Sequence, residues 1–77
     1  MASYTYDDFR KVLRSLHFEE LRKRKHETWR KVLSNGDILR VRISHKQSRD
    51  IPKWLFYEML RQVGLNEEEF RKILEKV

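Results

Sequence analysis

The sequence predicts an α+β fold, a three-stranded antiparallel sheet with helices packed on one of its faces. Apolar residues recur at helical spacing near both ends of the chain, and a hairpin signal followed by an alternating strand lies between them. Each of these elements has one apolar side to bury, so the economical arrangement places the helices together on one sheet face. A chain of 77 residues has room for one domain, which we place at residues 1–77.

The first helix is predicted over residues 6–16. Thr5 can cap its start, and Asp8 lies three residues later, where it completes a capping box. His17 is expected to leave the helix as a surface or C-cap residue. The inner side of the helix repeats at helical spacing and comprises Phe9, Val12, Leu13 and Leu16. The outer, exposed side is expected to carry Arg10, Lys11 and Arg14.

Three strands are predicted next. Residues 19–25 give a weak strand signal, and residues 27–33 contain better strand formers. Asn35 and Gly36 then form the strongest hairpin signal of the sequence, because both residue types tolerate positive φ. Residues 39–44 alternate apolar and polar side chains, which is typical of a half-buried strand.

The hairpin also predicts a strand register. If the Asn-Gly pair forms a two-residue loop, Val32 faces Leu39 and His26 faces His45. A slip of one residue would move every side chain to the opposite sheet face.

Two helices are expected to complete the chain. Pro52 suits the first turn of the second helix, and Gly64 suits its end. Asn66 can cap a short third helix, with Glu69 in the N3 position. The inner side of the second helix comprises Leu55, Phe56, Met59, Leu60 and Val63. The inner side of the third comprises Phe70, Ile73, Leu74 and Val77.

The positive charge of the chain is concentrated in its middle. The net charge is +6, but residues 22–53 hold eleven Lys and Arg against three acidic residues, a local net charge of +8. Such a segment between near-neutral flanks indicates a polyanionic partner, which could be RNA, DNA or an acidic protein. A solvated basic face without a partner is the alternative.

Several classes of protein are excluded by composition. The chain has no cysteine, so it has neither a disulfide framework nor a thiolate metal site, and a reducing cytoplasm is expected. The longest apolar run, residues 54–57, is far shorter than a membrane span. Two glycines cannot build a glycine-rich phosphate loop. We therefore expect no metal, no small-molecule cofactor and no membrane association.

Three histidines are the candidates for chemistry. Taken alone, His17 and His45 are expected to be structural or surface residues. His26 directly follows the basic run at residues 22–25. Cleavage of RNA by its own 2′-hydroxyl needs a base, an acid and cations near the phosphate, and a histidine among basic residues supplies most of these groups. The pattern alone leaves His26 open to a structural or a catalytic interpretation.

Residues 6–74 resemble the HicA family of mRNA interferase toxins from prokaryotic toxin–antitoxin systems. The most specific segments are RDIPK at 49–53 and LRQVGL at 60–65. Residues 9–18 are similar to the family's opening segment, with His17 in place of a glycine. Residues 43–45 are similar to the end of the family's third strand.

The resemblance implies a fold like that of double-stranded-RNA-binding domains. It also implies a metal-independent endoribonuclease that cleaves single-stranded mRNA in the cytoplasm, acts in stress responses and is neutralised by a HicB-type antitoxin. The family's catalytic histidine corresponds to His26. From charge and predicted proximity we expect RNA contacts from Arg24, Lys25, Arg42, His45, Lys46 and Lys53.

The chain departs from the family pattern at the site. The Gly-Ser pair before the histidine is Arg24-Lys25, and Trp54 replaces the glycine that follows Pro-Lys. A non-catalytic RNA-binding module, or a degenerate toxin that only binds RNA or an acidic protein, is therefore the alternative function. Trp29 and Trp54 are each open to a place in the core or to stacking on RNA bases.

Overall fold

A computed structural model describes residues 3–22, 26–44 and 49–77, with the backbone alone at 22, 26 and 44. The order of elements is α-β-β-β-α-α, which confirms the predicted α+β fold. The elements are α1 (Tyr6–Ser15), β1 (Glu19–Arg22), β2 (His26–Val32), β3 (Ile38–Ser44), α2 (Lys53–Val63) and α3 (Glu67–Lys76).

The sheet is antiparallel in the order β1-β2-β3. One face is buried beneath the helices, and Trp29, Val41 and Ile43 lie on it with at most 2% of their surface exposed. Helix α2 packs along β3, while α1 packs against α3. Because side chains alternate along a strand, the neighbouring residues of β2 and β3 lie on the opposite face, which none of the described helices covers.

The predicted register of the central hairpin is wrong by one residue. His26 pairs with Ser44 and Val32 pairs with Ile38, each one position short of the partner that a two-residue loop would give. The predicted alternation along β3 is confirmed, since its apolar residues Val41 and Ile43 are buried beneath the helices.

The loop explains this shift. The backbone N–H of Leu33 donates to the Asp37 carbonyl at 2.7 Å, and that of Gly36 donates to the Leu33 carbonyl at 2.9 Å. Gly36 has φ = 92°, so the connection is a three-residue loop in which a turn is followed by a left-handed residue. Asn35 contributes its side chain, whose Oδ1 accepts from the Asp37 backbone N–H at 2.9 Å.

Capping boxes begin α1 and α3 as predicted. The Thr5 hydroxyl accepts from the Asp8 backbone N–H at 3.1 Å, and the Asp8 carboxylate accepts from the Thr5 N–H at 3.0 Å. Asn66 and Glu69 make the same reciprocal pair at 2.8 and 3.1 Å. Each box satisfies two backbone donors that a helix start leaves without partners.

The ends of α1 and α2 share one geometry but not one residue type. His17 and Gly64 both have positive φ, 67° and 76°. At both ends the N–H of the following residue, Phe18 or Leu65, donates at 3.0 Å to the carbonyl five residues earlier. This is the Schellman motif, in which glycine is the usual residue. His17 is exposed at the helix end, as predicted, in a conformation that costs an L-residue more than a glycine.

The core lies between the sheet and the helices, and an aromatic cluster occupies its centre. The centroid of the Phe70 ring lies 5.0 to 5.1 Å from the ring centroids of Tyr4, Phe9 and Phe56. Val77 was expected on the inner side of α3, but it lies beyond the helix end and 56% of its surface is exposed. Over the described part of the chain, every helix is too short or too polar to cross a bilayer.

Candidate nucleic-acid interface

The uncovered side of the sheet carries three arginines. Arg30 of β2 lies directly opposite Arg40 of β3, and Thr28 lies opposite Arg42 in the neighbouring pair. We call these four residues the open face. They alternate with the buried residues of the same strands, so the helices do not cover them.

The charges of the open face are poorly compensated. Like charges directly opposite each other in an antiparallel pair are destabilising. Glu19 of β1 makes a long ion pair with Arg30, 3.5 Å between exposed groups, and such pairs contribute little. Within the described residues, the buried Nε of Arg30 has no hydrogen-bond partner. Among the described residues, the positive charge of the open face is therefore only partly neutralised.

A shallow groove runs beside the arginines. Thr28, Arg40 and Arg42 form the sheet side of this open-face groove, and Gln62 of α2 forms its other side. Gln62 reaches this position because α2 packs along β3, the outer strand of the sheet. The groove thus combines two guanidinium groups with a hydroxyl and an amide.

A buried ionic network lies on the covered side of the same strands. The Arg10 guanidinium donates to both carboxylate oxygens of Glu27, with Nε–Oε1 at 2.9 Å and Nη2–Oε2 at 2.8 Å. The Trp29 indole N–H donates to Glu27 Oε1 at 3.1 Å, and Asp7 accepts from Arg10 Nη1 at 2.7 Å. The prediction that Arg10 is exposed is therefore wrong, since 5% of its surface is accessible.

Charge compensation dominates in this network. Burial by itself would lower the pKa of Arg10, but its hydrogen bonds and attraction to Glu27 and Asp7 outweigh burial and raise that pKa above its ordinary value. Arg10 therefore stays charged. Its hydrogen bonds hold the carboxylate of Glu27, the residue that follows His26 in β2.

His26 is placed by its backbone. It begins β2 and pairs with Ser44, two residues along each strand from the Thr28–Arg42 pair. At the usual strand rise this separation is about 7 Å. His26, Thr28 and Arg30 therefore occupy alternate positions of the same strand.

The structure places only part of the predicted site. Arg42 is exposed on the open face, as expected for a phosphate contact. Lys53 is exposed at the start of α2 but borders a different cavity, of about 120 Å³, together with Tyr4 and Phe56. Arg42 and Lys53 therefore do not line one groove. The other predicted contacts lie outside the described residues: Arg24, Lys25, His45 and Lys46.

The two tryptophans have different surroundings. Trp29 is 2% exposed and belongs to the core, whereas Trp54 is 72% exposed on α2. The structural interpretation of Trp29 is confirmed, and only Trp54 keeps a ring face that a ligand can reach.

Sequence reasoning missed three residues of the candidate interface: Arg30, Arg40 and Gln62. Arg40 could have been found, since it lies two residues before Arg42 and alternation puts both on one face. Arg30 could be placed opposite Arg40 only with the correct register of β2 and β3. Gln62 depends on how α2 lies against β3, which no local pattern gives.

Within the described ranges, no three His, Asp or Glu side chains come together as a possible metal site. Comparisons with protein-family models, curated proteins and solved structures found no match for the chain.

Proposed function

We propose that this protein binds single-stranded mRNA on its open face and cleaves it as a metal-independent endoribonuclease, acting in the cytoplasm as the toxin of a toxin–antitoxin system. The observation that carries the proposal is the group of three arginines on the sheet face that the helices do not cover, with the half-buried Arg30 directly opposite the exposed Arg40. The resemblance to HicA toxins, on residues 49–53 and 60–65, supplies the type of activity.

Guanidinium groups suit the phosphates of RNA. Arginine binds phosphate through paired N–H donors, and each phosphate contact makes binding more sensitive to salt. The open face is formed by adjacent strands, so its arginines are spaced along an extended surface. A single strand can follow such a surface with its phosphates while its bases remain free to be read.

The proposed reaction uses the nucleophile that RNA carries. His26 accepts the proton of a ribose 2′-hydroxyl, and the 2′-oxygen attacks the adjacent phosphorus. The bond from phosphorus to the 5′-oxygen breaks, and that oxygen takes a proton from the imidazolium or from water. The products are a 2′,3′-cyclic phosphate and a 5′-hydroxyl. Nearby guanidinium groups stabilise the extra negative charge of the phosphorane.

The same face fits a protein inhibitor. A HicB-type antitoxin that presents acidic side chains to Arg30, Arg40 and Arg42 would relieve their repulsion and exclude RNA at once. The proposal therefore includes neutralisation of the toxin by an antitoxin that covers the open face.

The test is cleavage of a labelled single-stranded mRNA fragment in EDTA by wild-type protein and by His26→Ala. We expect wild-type protein to cleave and His26→Ala to lose cleavage while its affinity for RNA changes little, because a positioned acid or base contributes about 10²–10⁴-fold in rate. His17→Ala is the matched control. This histidine is exposed at the end of α1, and its replacement should leave cleavage unchanged.

Each other outcome contradicts a defined part of the proposal. Cleavage retained by His26→Ala contradicts the role of His26. Salt-dependent binding without cleavage by the wild-type protein favours the binding-only module, which the Arg24-Lys25 departure at the site keeps as the second candidate. Absence of RNA binding contradicts the proposal as a whole.

A further inference from the structure

We infer that Gln62 is the residue through which the open-face groove distinguishes RNA bases, and that it favours adenine. The inference rests on the proposed binding of RNA to the open face and names the determinant of its base preference. It starts from the composition of the groove, in which Arg40 and Arg42 lie beside the neutral side chains of Thr28 and Gln62.

The charged and neutral residues of the groove have different uses. Contacts of arginine with phosphate position a nucleic acid but carry no sequence information. Base identity is read by groups whose donors and acceptors match a base edge. A carboxamide presents one donor group and one acceptor side by side, which is the complement of the N6 and N7 atoms of adenine. Gln62 is the groove residue with this arrangement.

The side chain of Gln62 is available for such a contact. It is exposed, and it has no hydrogen-bond partner among the described residues. Its neighbour Arg61 is occupied instead, since Arg61 Nη2 donates to both carboxylate oxygens of Glu58 at 2.7 and 2.8 Å. The groove therefore receives the amide and not the adjacent charge.

The backbone beneath Gln62 is held in place. Helix α2 buries Met59, Leu60 and Val63 in the core, each 4% exposed or less. Gly64 follows with positive φ and ends the helix. A side chain on such an anchored turn starts from a fixed backbone position, as recognition of a base edge requires.

The position of the groove relates base choice to the proposed cleavage. The Thr28–Arg42 pair is two residues along the strands from the His26–Ser44 pair, about 7 Å at the usual strand rise. A nucleotide read by Gln62 therefore lies close to the phosphate proposed to react. A preference for adenine in binding should appear as a preference for adenine next to the cleavage site.

The experiment measures binding of fluorescent ten-nucleotide oligo(A), oligo(C) and oligo(U), each 2′-O-methylated so that it cannot be cleaved. Wild-type protein should bind oligo(A) at least about fivefold more tightly than the pyrimidine oligomers, the lower end of a bidentate base contact. Gln62→Ala should reduce this ratio to about one and leave the salt dependence unchanged. Gln62→Glu should move the preference towards oligo(C), because a carboxylate accepts from cytosine N4.

Two control variants separate base reading from phosphate binding. Arg42→Ala should weaken binding to all three oligomers alike and reduce the log–log salt slope by about 0.7 for one lost phosphate contact. Arg61→Ala removes an exposed charge from the residue next to Gln62, outside the groove, and should leave the ratio near the wild-type value. All of these positions are exposed, and circular dichroism spectra verify that the variants fold.

The outcomes distinguish this inference from the proposed function. Equal affinity of wild-type protein for the three oligomers, or a ratio unchanged in Gln62→Ala, overturns the role of Gln62 and leaves RNA binding intact. A ratio lost equally in Arg61→Ala also overturns it. No binding to any oligomer contradicts the proposed function itself.

Discussion

The arginines on the two sides of the sheet have opposite environments. On the covered face, Arg10 is buried and donates to both oxygens of Glu27 at 2.8 and 2.9 Å. On the open face, Arg30 and Arg40 face each other as like charges. A charge taken out of water needs a compensating partner, whereas a charge left at the surface can remain available to a ligand. Substitutions on the covered face should therefore affect stability, and those on the open face should affect binding.

Two substitutions share the largest expected effect, and the first of them is Glu27→Ala. This variant leaves Arg10 buried without its main carboxylate partner, and breaking such a pair costs about 3–5 kcal/mol of the free energy of unfolding. Urea denaturation followed by circular dichroism measures it. The double variant Arg10→Met, Glu27→Leu removes both charges and should recover most of the loss. A single-variant loss below about 1 kcal/mol would show that the network does not stabilise the covered face.

The two tryptophans test the same contrast without charge. Trp29→Ala should lower the free energy of unfolding by about 3–5 kcal/mol, because it empties a large buried site. Trp54→Ala should change it by no more than about 0.5 kcal/mol, since 72% of that side chain is already exposed. Urea unfolding of both variants measures the difference. Comparable losses in the two variants would contradict the placement of Trp54 at the surface.

The third test compares the ends of α1 and α2, where His17 and Gly64 both have positive φ. His17→Gly should stabilise the protein by about 1 kcal/mol, because it removes the cost of a left-handed conformation at the end of α1. Gly64→Ala should cost about as much, although its added Cβ would meet no atom within 4 Å, so only backbone strain acts. Thermal unfolding measures both. Changes of the same sign would contradict this interpretation.

The smallest effect is expected on the open face. Arg40→Thr relieves the repulsion opposite Arg30 and should raise the free energy of unfolding by about 0.2–1 kcal/mol, while RNA binding weakens. The gain should shrink in 1 M NaCl, where exposed charges are screened. Measuring unfolding at two salt concentrations tests this, and a loss of stability at low salt would be the contrary result.

The fold could be predicted from the sequence because its signals are local. The Thr5 and Asn66 capping boxes, the apolar stripes of the helices and the alternation of β3 each lie within a few residues of chain. The register could not be predicted, because the Asn-Gly pair fits a two-residue loop as well as the three-residue loop that forms. Gly36 takes positive φ in either case.

The remaining errors concern partners that are distant in sequence. Arg10 was placed on the outer side of α1 because helical periodicity says nothing of Glu27, which is 17 residues away. Arg42 is predicted as an RNA contact from its charge and predicted proximity, and it lies exposed on the open face. Gln62 is neutral and joins the groove only through the packing of α2 along β3. Patterns along the chain show which residues are charged or apolar, and tertiary packing decides which of them meet.

Binding at the opposed arginines would also change how long a molecule of this protein persists. If a polyanion binds at Arg30 and Arg40 as proposed, it binds the native chain better than the unfolded chain and would raise the melting temperature. Proteases degrade such small proteins through their rarely opened forms. An occupied copy would open less often than an empty one, so the lifetime of the protein would depend on how often the proposed ligand occupies the open face.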